Sequence, residues 1–177
     1  MPHLVRAGVR FNRWLDTEGR EPSDFPADVI TDLRTMGDDL SVFEVTDSVS
    51  AERIATALAA APGKREPDHT AYAIFDRAAL QGLEINIGKT PGSTIDTEVN
   101  AAHYDLHVGT ARRLVELAGV IAGGNIVPVL KARVAELLRA GFESGHVDHN
   151  KNRLLCDRVK ADIRRDRDTP HTNELLE

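Results

Sequence analysis

Apolar and polar positions along this chain change period several times, and each change predicts an element. Over residues 4–11 they alternate loosely, the two-residue period of a strand whose faces differ. Phe25, Val29, Ile30, Leu33 and Met36 return at helical spacing, with Asp24 placed to cap and Gly37 to stop the helix; Pro26 and the β-branched run Val29-Ile30-Thr31 also suit an extended loop. Residues 40–46 read as a strand, because Val42, Phe43 and Val45 supply β-branched and aromatic side chains before Asp47 and Ser48. Ser50 caps a helix predicted to about Ala60, whose Ile54, Leu58 and alanines form a narrow apolar face that ends at Pro62-Gly63. Residues 70–75 and 83–87 are two further predicted strands.

The second half reads as helical, with segments at about 97–107, 111–122, 128–140 and 147–163. Thr110 caps the second, Gly123-Gly124 ends it, Pro128 suits the first turn of the third and Gly141 its stop. The strand, helix, strand order across 40–75 permits a right-handed parallel crossover, with the next strand returning antiparallel. The expected fold is therefore mixed α/β, a small mixed sheet with packed helices and a helical carboxy-terminal half. One compact domain is expected over 1–163, with the sheet in 1–95 and helices in 96–163. The stretch 164–177 alternates Arg with Asp, carries little apolar surface and is expected to be a mobile tail.

Length and charge narrow the class. A chain of 177 residues can bury a core without a metal or disulfide to hold it. Twenty-eight acidic against 22 basic residues give a net charge of -6, interspersed along the chain, which argues against nucleic acid as a partner. Cys156 is the only cysteine and is expected in the core of a helix, beside Leu154, Leu155 and Val159. Arg6 and Arg10 interrupt the apolar character of the amino terminus, and residues 114–130 are broken by Glu116, Asn125 and Pro128. The expectation is a soluble, cytoplasmic protein that uses no membrane.

Three groups carry candidate chemistry. Gly88-Lys89-Thr90 has the residue types of a phosphate-binding loop, but the leading glycine of that motif falls on Leu83 and Pro91 interrupts the helix that should follow. Asn100, His103 and His107 lie at spacings of three and four that share one face of a helix, and His146 and His149 repeat helical spacing. Four imidazoles from the two pairs would close a tetrahedral zinc site; three plus water would leave a catalytic opening, with Asp105 or Asp148 as base. Tyr104 stands where the zincin motif needs glutamate, and the plainer reading, hydrogen-bonded histidines and a polar capping turn over 146–150, is preferred. Asp24, Asp28 and Asp32 would stack on one helical face, most simply a solvated one.

The leading expectation for function is a non-enzymatic binding or accessory protein that acts through protein contacts, with itself as a homodimer or with another protein. The apolar stripe Leu130, Val134, Leu137 and Leu138 is its candidate interface. The alternative is a metal-dependent hydrolase or metal-binding regulatory protein using His103, His107, His146 and His149 with zinc or another divalent metal. The leading reading needs no cofactor, and no residue is assigned a catalytic role.

Overall fold

Residues 2–33, 37–61, 63–148 and 150–168 are described by the computed structural model of the protein. Six strands, β1 (His3–Ala7), β2 (Asp39–Glu44), β3 (Thr70–Asp76), β4 (Asn86–Lys89), β5 (His103–His107) and β6 (Asn125–Val129), form one open sheet in the order β4-β5-β2-β1-β3-β6. Among the described residues seven α-helices accompany them: α1 (Phe11–Trp14), α2 (Ala27–Asp32), α3 (Ala51–Ala59), α4 (Thr97–Ala101), α5 (Ala111–Ala122), α6 (Lys131–Glu143) and α7 (Arg153–Asp168). The class is the expected mixed α/β, with helices packed on a small sheet.

β1 lies at the centre because Leu4, Val5 and Ala7 are buried on both of its faces. β2 and β3 flank it, both antiparallel to it and therefore parallel to each other. The expected crossover through α3 exists, but with β1 inserted between its two strands, so every neighbouring pair in the sheet is antiparallel. One face buries Val5, Phe43, Tyr72 and Val129 under α3, α4, α6 and α7. The other buries Leu4, Leu40, Val42, Phe75 and Leu106 under α1, α2 and α5.

Local signals set several boundaries. Ser50 Oγ accepts from Arg53 N at 3.2 Å and Thr110 Oγ1 from Arg113 N at 3.3 Å, so both predicted caps start their helices. Asn152 caps α7 by accepting from Leu155 N, while its amide donates to the carbonyls of Ala60 and Ala61, both at 2.9 Å. One buried side chain thus ties the start of α7 to the end of α3.

The second half departs from its helical reading in two places. Residues 97–107 divide into the short α4 and the strand β5. Residues 125–129 form β6, so Pro128 sits in a strand rather than in the first turn of α6. Ile126, Val127 and Val129 favour extended backbone, and β6 is an edge strand, where a proline without an N–H leaves the sheet's internal ladder intact. Gly124 precedes it where a Cβ would collide with the Ile74 carbonyl. In the first half, the helix predicted over residues 25–36 shortens to α2, with Met36 outside the described residues. α7 runs on to Asp168, and the rest of the expected tail lies outside the described residues. Among the described residues no helix is long and apolar enough to cross a membrane.

Candidate functional site

Asp96 caps the first turn of α4, accepting from Glu98 N at 3.0 Å and Val99 N at 3.1 Å, and the helix stops at Ala101. After Ala101 the sequence HYDLH alternates: Leu106 is buried with Tyr104 on one face, and His103, Asp105 and His107 occupy the other. On a strand, four residues span roughly 13 Å, so His103 and His107 share a face without reaching a common ion. This corrects the helical spacing on which their pairing rested.

Each histidine has its own partner. His103 is 8% exposed, stacks edge-on against Phe43 and places Nδ1 at 2.8 Å from Thr90 Oγ1 and 3.1 Å from Thr90 O. A carbonyl only accepts, so Nδ1 carries the hydrogen, and the Thr90 hydroxyl donates to Asp105 Oδ2 at 2.7 Å. Threonine is thereby held by the carboxylate, and the network ties the end of β4, where Gly88-Lys89-Thr90 lies, to β5. His107 Nδ1 lies 2.8 Å from Asp39 Oδ1 at an exposed position, and His146 Nδ1 lies 3.0 Å from Glu98 Oε1. His149 lies outside the described residues. Of the two candidate bases, Asp105 also accepts from Ser41, and Asp148 Oδ1 caps Asn150 N at 2.9 Å. Among the described residues no three His, Cys, Asp or Glu side chains converge as metal ligands.

The candidate interface divides between surface and core. Val134 and Leu138 are 0% and 1% exposed, packed in the core between α6 and α3, and so are closed to a partner. Leu130 is 70% exposed at the start of α6, and Leu137 is half-buried. A helix so close to the sheet has to spend its inward positions on its own chain.

Leu137 and Leu138 line a different feature, a cavity of about 280 Å³ between α3 and α6. Ala57, Ile95 and Val147 complete its apolar wall. The segment after α6 returns to close it: Asp96 pairs with Val147, and Asp148 N donates to Ile95 O at 2.6 Å. Gly141 permits that return, since a Cβ there would stand 2.6 Å from Val147 Cγ2.

The polar groups of the cavity come mostly from α3 and the turn before α4. Arg53 holds the buried Asp96 through two bonds, Nε to Oδ2 at 2.6 Å and Nη2 to Oδ1 at 2.9 Å, the strong fork arrangement of guanidinium and carboxylate. Its Nη1 donates to Ser48 O at 2.8 Å and to Glu98 Oε2 at 3.0 Å. The Asp96 hydrogen bond, with the charges of Asp96 and Glu98, holds the Arg53 pKa above its ordinary value against the opposing effect of burial. Ser144 Oγ donates back to Ala140 O at 2.8 Å.

Thr56 differs from all of these. It is 4% exposed, lines the cavity from the middle of α3, and its Oγ1 has no hydrogen-bond partner among the described residues. A threonine in a helix ordinarily bonds back to the carbonyl one turn earlier, and this one does not. Sequence reasoning missed the site because its parts lie on α3, α6 and two connecting segments far apart in the chain. The nearest local signal was a polar Thr56 on a stripe otherwise made of Ile54, Leu58 and alanines.

No protein-family model matches this chain, and no curated protein or solved structure proved significantly similar to it.

Proposed function

We propose that this protein works by binding rather than by chemistry, and that it holds a small, largely apolar ligand in the cavity between α3 and α6. The observation that carries the reading is the apolar cavity itself, with Thr56 in its wall, a residue whose buried hydroxyl has no partner among the described residues. Such a group costs about 1–3 kcal/mol when left unsatisfied, and a ligand toward which the Thr56 side chain turns recovers that cost. The surroundings agree with a ligand site: apolar walls, a few convergent polar groups and a volume near the lower end of the usual range. Arg53 and Asp96 support the site as a rigid, mutually bonded rim rather than as reactive groups.

The reading keeps the accessory role expected from the sequence and moves its contact from an apolar helical stripe into a cavity. Association with itself or with another protein through Leu130 and Leu137 remains a separate proposal. The test is a fragment screen by thermal shift, followed by amide chemical-shift mapping on the wild type. Fragments should stabilise the wild type, perturb Thr56, Leu137 and Val147, and lose their effect in Ala57→Leu, which grows a side chain into the cavity. A screen without hits, or hits that map elsewhere on the wild type, would overturn the reading.

A further inference from the structure

We infer that the ligand taken by this cavity is an amine, an apolar body carrying a protonated nitrogen, in preference to a carboxylate. The inference rests on the binding role proposed above and adds the chemical class. It follows from counting what the rim has left to offer.

The charged donors are largely spent, which leaves the hydroxyls of Ser50 and Thr56 as neutral ones. Arg53, the only Lys or Arg among the described residues that line the cavity, gives Nε and one hydrogen of Nη2 to Asp96 and both hydrogens of Nη1 to Ser48 and Glu98. Ser144 gives its hydroxyl hydrogen to Ala140 O. An incoming carboxylate would have to compete with these bonds, and with two carboxylates already fixed on the same guanidinium.

Acceptors remain. His146 lines the cavity with Nδ1 3.0 Å from Glu98 Oε1, and at a pH where an imidazole is neutral a hydrogen on Nδ1 leaves Nε2 as an acceptor. Asp96, which lines the cavity, receives one donor on Oδ2 among the described residues, short of its capacity.

Charge points the same way. Around the cavity one guanidinium, Arg53, faces two carboxylates, Asp96 and Glu98, so with His146 neutral the group is net negative. The same two helices repeat the pattern further along, where Arg133 bridges Glu52 and Glu136. A cation entering between α3 and α6 meets a field that repels an anion, and the low-dielectric wall strengthens that difference.

The experiment compares three probes on one carbon frame, hexylamine, hexanol and hexanoate. They are titrated by ligand-observed NMR at pH 8 and low salt, where an ordinary imidazole is neutral. Hexylamine should bind at least about tenfold tighter than hexanoate, with hexanol between, while perturbing the Thr56 and His146 amides. Glu98→Gln keeps the shape and removes the charge, and should cut the preference for amine over alcohol several-fold. Hexanoate or hexanol binding in the cavity as tightly as the amine, or a preference that survives Glu98→Gln unchanged, would overturn the amine inference and leave the cavity reading standing. If no probe reaches the cavity, both fall.

Discussion

The indole of Trp14 donates its Nε1 hydrogen to Asp32 Oδ2 at 2.8 Å, and this bond fixes the packing of α1 against α2. The same oxygen accepts from Arg10 N at 2.8 Å. Asp32 therefore works as a buried acceptor, its side chain 5% exposed, and not as one of a row of solvated carboxylates. Asp28, one turn earlier, pairs with Arg13, and Asp24 falls in the separate turn Pro22–Asp24, so the three carboxylates do not stack on one helix.

Asp32→Ala should consequently cost about 2–4 kcal/mol, since it strands the indole and Arg10 donors and removes the opposing charge near Arg6. Burial already pulls the Arg6 guanidinium pKa below its ordinary value, and Asp32 pulls it back. Trp14 is the only tryptophan, so its fluorescence in urea titrations of wild type and variant reads the loss directly. A cost under 1 kcal/mol would show that Arg10 and Trp14 find other acceptors.

What was legible in the sequence was local. Ser50 and Thr110 cap their helices with bonds to residues three positions on, and the stripe of Leu117, Ala118 and Ile121 does face the core. The strand β5 was missed because His103 and His107 fit a helical spacing when taken alone. The alternation of Tyr104, Leu106 and Val108 signals a strand, yet its pairing partners in β2 and β4 are invisible from that stretch. The cavity was less legible still. Arg53 and Asp96 meet only because α3 and the start of α4 pack together, and the missing partner of Thr56 is a property of packing, which no spacing records.

The division of the α6 stripe gives a second prediction. Leu130→Asp should fold with its melting temperature within about 2 °C of the wild type, because Leu130 is exposed and surface changes are usually small. Val134→Asp should fail to fold, since it buries an unpaired carboxylate in the core. Circular dichroism melts separate the two. Should the protein self-associate, light scattering on Leu130→Asp then asks whether this end of α6 takes part. Equal damage from both substitutions would mean that Leu130 is covered.

Cys156 is 0% exposed, and burial pushes its thiol pKa up. A thiol reagent should therefore react slowly with the native protein at pH 8 and quickly in urea. The linkage has a definite sign. Below the ordinary thiol pKa both states hold the proton and the group adds no pH dependence; above it the unfolded chain releases the proton first, so stability falls as pH rises into the alkaline range. Cys156→Ala should flatten that alkaline slope while costing about 1 kcal/mol for the lost sulfur contacts. Rapid native labelling at pH 8 would contradict the burial.

Thr56 yields the sharpest prediction, because stability and binding should move in opposite directions. Valine has threonine's shape but no hydroxyl, so Thr56→Val removes a buried polar atom that has no partner among the described residues and leaves the apolar wall intact. Replacing an unsatisfied group with an apolar one of the same shape relieves its desolvation cost, here about 1–2 kcal/mol. For a chain of this size that raises the melting temperature by about 2–6 °C. Helix propensity does not blur the result, since threonine and valine rank together. Ligands that use the hydroxyl should bind the variant several-fold more weakly, the trade of stability against function expected where a site keeps an unpaired group. Calorimetric melts with and without ligand measure both effects on one pair of proteins. A melting temperature that falls on Thr56→Val would mean that the hydroxyl is bonded within the fold, and the case for a ligand in this cavity would lose one of its supports.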